Sequence, residues 1–414
     1  MAALPMAVGC IIGGVLMEKY GRKVAHLILN VPFVMGWIAI ALSQSLLTML
    51  AGRFICGFCV GLLGPPATVY IGETSEPKYR GFLLAAVSLA IAVGILVSHL
   101  LGTFFNWKLT AILCSLVPLS SYISMSMVPE SPSWLLSKGR VEDALRSYQW
   151  LRGCSDEANK EFESMVSSQN TSSTVNNYSW ENVKLNIKRP GFLKPLGILL
   201  IFFIVMQFSG VNAVAFYCVT IMKNTIGDGL NEYVAMTIID LVRVLMSVVA
   251  CILLRKFGRR PLAFISGTGT ALSLVGLSTF LYFTKQYPML TQFSSVPMAL
   301  LIGYICFVSI GIVPLPWCMN GELFPLALRG VGSGIVSSVN FLALFTVVKT
   351  GPLFFLNIGA EGAFMIYGAV AFLGTIFLFF CLPETKNKTL QEIENSFEGS
   401  KKLTATNGVD PVLA

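Results

Sequence analysis

Gln207, Asn212 and Tyr217 lie in one apolar run, roughly 196–222, that is long enough to cross a bilayer. Hydrocarbon offers polar side chains no hydrogen-bond partner, so at that depth they face a protein interior or a wet cavity. Gly210 stands between the two amides, where it weakens the helix and lets the backbone loosen or a ligand come close. Two readings follow: contact with a polar solute, or glue between two helices.

The elements that must position these residues are membrane helices. Of 414 residues, 55% are hydrophobic and 12% charged, against about 25% charged in soluble domains. With a mean hydropathy of +0.73, the chain reads as an all-α polytopic membrane protein. Its net charge of +8 sits in short loops between apolar runs, which fits membrane orientation rather than nucleic acid. The ten cysteines are scattered, most within apolar runs, without the paired spacing of a metal site or disulfide framework. With His26 and His99 the only histidines, and no Ser/His pair or His–carboxylate cluster at helical spacing, neither an enzyme nor a metal or cofactor is expected.

Apolar runs of spanning character occur near 1–17, 24–43, 48–71, 82–105, 109–128, 196–222, 233–254, 261–284, 296–320, 331–356 and 360–382, about eleven spans. Lys and Arg concentrate in alternate loops: Lys19, Arg22 and Lys23, then Lys78 and Arg80, then Arg255 to Arg260. The positive-inside rule makes these loops, the long loop and the C-terminus cytosolic. Domain limits follow: an N-terminal half over 1–128, a cytosolic loop with short helices over 129–192, a C-terminal half over 193–383 and a cytosolic tail over 384–414.

Within the long loop, Val141, Ala144, Leu145, Tyr148 and Leu151 fall on one face of a predicted helix over 140–152. Residues 167–179, rich in Ser, Thr and Asn, read as a linker. Three glycosylation sequons, at Asn170, Asn177 and Asn387, fall on the cytosolic side and are expected to go unused.

Three features recur in the same order in both halves. Gly14–Lys23 is echoed by Cys251–Arg260, Glu73 with Arg80-Gly81 by Glu322 with Arg329-Gly330, and Pro129-Glu130-Ser131 by Pro383-Glu384-Thr385. Such duplication marks transporter folds built from parallel halves. Two spans of the second half precede its Gly-Arg-Arg loop and one precedes the matching Gly-Arg-Lys loop of the first, so symmetry predicts a further span before Met1, and a twelve-span parent. Glu18, Glu73 and Glu322 lie near helix ends within reach of Arg22, Arg80, Arg259 and Arg329. They can form a cytosolic latch that closes in one conformation and opens in another, or simply anchor topology.

Taken together, Gly14–Lys23, Glu73…Arg80-Gly81, Pro129–Arg140, Gln207–Tyr217, Pro314-Leu-Pro-Trp317…Glu322…Arg329 and Pro383–Leu390 resemble the sugar porter family of the major facilitator superfamily. The resemblance covers nearly the whole chain, and its nearest look is to insect-type facilitated trehalose transporters. It implies a major facilitator fold with a central sugar site open alternately to each side. By position, Gln207, Asn212 and Asn340 would bond sugar hydroxyls, Tyr217 would close the outer side and Trp317 would stack on the sugar ring.

The departures are specific. Met206 replaces one of two consecutive glutamines common in the family, His99 stands where a sugar-binding Gln is common, and Arg243 where an Asn is common. Arg255 replaces the acid of the second loop. Asp240, three residues before Arg243, can neutralise it; otherwise Arg243 faces the cavity. His99 either touches solute or bonds another helix. The resulting expectation is facilitated transport of trehalose or a hexose across the cell membrane, with the sugar and the lipid bilayer as partners. Other polyols or small organic anions, proton symport, and a truncated non-transporting isoform or a sugar sensor stay open.

Overall fold

A backbone in hydrocarbon must satisfy its own N–H and C=O groups, and the described residues of the apolar runs fold accordingly into helix. The computed structural model describes residues 3–172, 187–214, 232–287, 289, 293 and 295–398, with no strand among them. The first half comprises α1 (Ala3–Tyr20), α2 (Arg22–Ala41), α3 (Leu46–Thr74), α4 (Pro77–Phe104) and α5 (Trp107–Met127). The second half comprises α9 (Pro190–Phe208), α10 (Glu232–Lys256), α11 (Arg259–Gln286), α12 (Ser295–Ile310), α13 (Pro314–Glu322), α14 (Arg329–Asn357) and α15 (Gly359–Cys381). With α12 and α13 counted together, and α9 extended to Val214, eleven segments are long and apolar enough to span a membrane.

Helix ends follow the local chemistry. Ser45 closes a capping box with Thr48 at the start of α3, and the Asn106 side chain accepts from Leu109 N–H at the start of α5. Because the spans alternate in direction, the loops carrying Arg22, Lys78 and Arg259 share one end of the bundle, here called the basic end.

The sequence reads 296–320 as one continuous run, but the structure breaks it at Gly311–Val313. Pro314 and Pro316 have no N–H to donate to the preceding turn, so a new helix starts at Pro314. Ser266 of α11 repairs the break, accepting from Ile312 N–H at 2.9 Å and donating to Phe307 C=O at 2.6 Å. This offset start positions Trp317.

The halves meet along α1 with α14, α4 with α10, and α13 with α3 and α4. The largest apolar cluster lies in the second half, around Phe202, Phe203, Tyr304, Trp317 and Phe364. At the basic end, α6 (Pro132–Ser137), α7 (Val141–Arg152) and α8 (Asp156–Ser172) pack around Trp134, Ala144, Tyr148 and Phe162. The predicted face of α7 is turned inward except at Val141, which is exposed. Residues 167–172 continue α8 rather than forming the expected linker, and 173–179 lie outside the described residues. A last helix, α16 (Leu390–Glu398), docks against α9.

Candidate functional site

Gln207 and Asn340 come together from α9 and α14, 133 residues apart in sequence, and both are buried. Asn212 donates to Gln207 Oε1 at 2.6 Å, and Gln207 Nε2 donates to Asn340 Oδ1 at 2.7 Å. The result is a directional chain of three amides. Each amide has more donors and acceptors than the chain consumes, so capacity to bond hydroxyls is left over.

The backbone between Gln207 and Asn212 is what allows this. Helix α9 stops at Phe208, and Gly210 takes φ +85°, a conformation that disfavours side chains. A Cβ there would also lie 2.8 Å from the Tyr367 ring. The turn frees the Ser209 carbonyl, which accepts from the Tyr304 hydroxyl at 3.0 Å. Trp317 stands edge-on to Phe203, with ring centroids 5.1 Å apart and planes at 75°, and Phe341 lies 6.4 Å away. Tyr217 lies outside the described residues.

His99 on α4 reaches across to α10, its Nδ1 2.5 Å from Asp240 Oδ2. The Asp240 carboxylate is therefore engaged between the halves and does not form the ion pair with Arg243 that their spacing allowed. Arg243 is half-buried, and among the described residues no ion pair holds its guanidinium.

At the basic end the repeated acids and arginines form two related clusters. Arg22 grips Glu73 in a fork, Nε to Oε2 at 3.0 Å and Nη2 to Oε1 at 2.9 Å, while Ser131 donates to Oε2 at 2.5 Å. In the second half Arg259 Nη2 donates to Glu322 Oε1 at 2.9 Å and Thr385 to Oε2 at 2.6 Å. Between the halves, Arg329 Nη1 reaches Glu73 Oε1 at 3.2 Å and Gly330 N–H donates to Glu18 Oε1 at 2.8 Å. Arg80, expected to pair with an acid, instead bonds three carbonyls: Gly72 at 3.0 Å, Lys388 at 3.2 Å and Ser75 at 3.3 Å. Arg255 stacks on the Tyr79 ring, 4.9 Å from its centroid.

A family model described as "Sugar (and other) transporter" matches residues 1–397. The chain belongs to the sugar transporter family. It is 34% identical over 402 residues to the "Facilitated trehalose transporter Tret1" of Apis mellifera ligustica, covering 97% of this chain and 79% of that protein. It is 33% identical over 410 residues to the "Facilitated trehalose transporter Tret1-2 homolog" of Drosophila simulans, covering 99% and 83%. The structure of the proton:xylose symporter XylE bound to 6-bromo-6-deoxy-D-glucose superposes with a TM-score of 0.82 at 24% identity, over 95% of this chain and 87% of that one. The fold is that of the major facilitator superfamily.

Several residues of this sugar transporter escape sequence reasoning. Glu130 and Glu384 are legible only as members of a repeat. In the structure each is a helix cap: Glu130 accepts from the N–H groups of Arg22, Lys23 and Ser131, and Glu384 from those of Arg259, Arg260 and Lys386. Gly21 and Gly258 leave room for these carboxylates, whose Cδ atoms would lie 2.9 Å from an added Cβ. Burial pushes the Glu130 carboxyl above the ordinary glutamate range. Tyr304 and the buried cluster of Asn320 with Ser333 at 2.8 Å and Thr68 and Ser337 at 3.4 Å were also unmarked. A polar residue inside an apolar run is the one signal that could have flagged them.

Proposed function

We propose that this transporter carries trehalose or a hexose by facilitated diffusion and alternating access, with the sugar held at Gln207, Asn212 and Asn340. The observation that carries the reading is the buried amide chain across α9 and α14. Sugar hydroxyls both donate and accept, and an amide array matches them without a charge that would need neutralising. Trp317 offers an apolar surface beside the chain for the face of a pyranose, and Tyr304 holds the turn that aims Asn212.

Alternating access needs an element with two arrangements. The contacts of Arg329 with Glu73 and of Gly330 with Glu18 join the halves at the basic end. The positive-inside rule makes that end, with the tail, cytosolic in the cell membrane. In this arrangement the cytosolic side is latched. Glu130 and Glu384 tie the loop helices and the tail to α2 and α11, so opening the latch moves those segments with the halves.

Uptake of labelled trehalose and glucose into proteoliposomes containing the purified chain tests this reading. Downhill uptake that is unchanged when the proton gradient is collapsed, and that falls about 10-fold or more in Gln207→Ala and Asn340→Ala, is expected from the loss of buried hydrogen bonds. Uptake insensitive to both substitutions would sink the site. Dependence on a proton gradient would replace facilitated diffusion with symport.

A further inference from the structure

Arg243 is a charge inside a span with no counter-ion among the described residues. On α10 it shares a stripe with the buried Asp240, Ser247, Cys251 and Leu254, while Leu241, Leu245, Val248 and Ile252 are exposed on the opposite side. Arg243 therefore belongs to the inward stripe of α10. An arginine at such depth persists when it has a partner or lines a wet path.

Among the described residues, the acids that could serve are taken. Asp240, one turn away, is held by His99 at 2.5 Å. Glu18, Glu73 and Glu322 sit at the basic end, with Arg22, Arg329 and Arg259. Glu361 at the other end is paired with Lys285. The site is nonetheless close by: α10 packs against α12, whose Tyr304 hydroxyl bonds the Ser209 carbonyl in the turn between Gln207 and Asn212.

We propose that Arg243 is the counter-charge for an anionic group on the solute, so that this carrier takes monosaccharide carboxylates at the amide site as well as neutral sugars. The inference rests on the reading of the chain as a sugar carrier. A guanidinium fork matches a carboxylate in geometry and charge. A phosphate monoester carries close to two negative charges, whereas among the described residues the imidazole of His99 is already committed to Asp240. One free arginine suits one carboxylate.

The test uses proteoliposomes of the full chain with labelled glucuronate and labelled glucose, in the parent, Arg243→Asn and Arg243→Lys. Glucuronate should enter the parent and compete with glucose. In Arg243→Asn the glucuronate-to-glucose uptake ratio should fall about 10-fold or more, as expected for loss of one charge-assisted pair, with Arg243→Lys between the two. Glucose uptake without glucuronate entry or competition in the parent overturns the proposal with no variant needed, and so does an unchanged ratio in Arg243→Asn. If Arg243→Asn does not fold, as judged by thermal unfolding of the purified protein, competition in the parent and the Arg243→Lys ratio decide. If neither solute enters the parent or protects it against heat, the sugar-carrier reading itself fails.

Discussion

Arg329 places its Nη1 3.2 Å from Glu73 Oε1, the same oxygen that Arg22 holds at 2.9 Å. One carboxylate thus serves an arginine of its own half and an arginine of the other, and all three side chains are buried. Removing one member leaves buried charge uncompensated, which costs about 3–5 kcal/mol where it has been measured.

Glu73→Gln should therefore shift the carrier away from its latched state. Cys318, fully buried where α13 meets Gly81 of the other half, reports this. With Cys318 as the sole cysteine, thiol labelling from the basic end should quicken about 10-fold or more in Glu73→Gln. An unchanged rate would mean that the pair anchors topology only.

Gly210 and Gly139 separate backbone strain from packing. Both have positive φ, +85° and +75°, but a Cβ at 139 meets nothing within 4 Å, whereas one at 210 meets the Tyr367 ring. Gly139→Ala should cost about 1–2 kcal/mol from backbone strain alone. Gly210→Ala should lower the unfolding temperature further and impair sugar uptake, because the turn that aims Asn212 must shift. Equal thermal shifts would contradict the packing argument.

Glu130 predicts a pH dependence of stability. Its folded pKa is raised by burial above the ordinary 4.5, so the folded state binds its proton more tightly than the unfolded state. Stability from this group is then greatest below 4.5 and falls as pH rises through the raised value. Thermal unfolding of the parent and Glu130→Gln across that window should show the parent losing stability with rising pH more steeply than the variant. Parallel curves would remove Glu130 as the titrating group.

His99 and Asp240 should be energetically coupled. A double-mutant cycle of His99→Ala and Asp240→Ala, read by thermal unfolding, should give a coupling of about 0.5–3 kcal/mol. Additive effects would show that the 2.5 Å contact contributes nothing to joining α4 and α10.

The arrangement of spans was legible because its causes are local. Apolar run length, basic loops and turn residues act within about twenty residues of chain, and the duplicated Gly-Arg-Lys/Arg, Glu…Arg-Gly and Pro-Glu motifs exposed the two halves. Where local signals conflicted, the reading strayed: Pro314 and Pro316 break a run whose hydropathy is continuous, and α8 extends through Ser172 despite its polar composition. Gln207, Asn212 and Asn340 were nameable as candidate site residues, but not as a chain.

By itself, then, the sequence determined an all-helical membrane protein in two related halves, the polar residues within its spans, and the acids and arginines at one end. Only the tertiary structure decided which of these groups meet. Hydrogen bonds and ion pairs depend on distances of a few ångströms between residues that lie far apart in the chain, such as Glu73 and Arg329 or His99 and Asp240. Spacing along one helix suggested Asp240 for Arg243, yet helix packing gave that carboxylate to His99. The same packing leaves Arg243 without an ion-pair partner among the described residues.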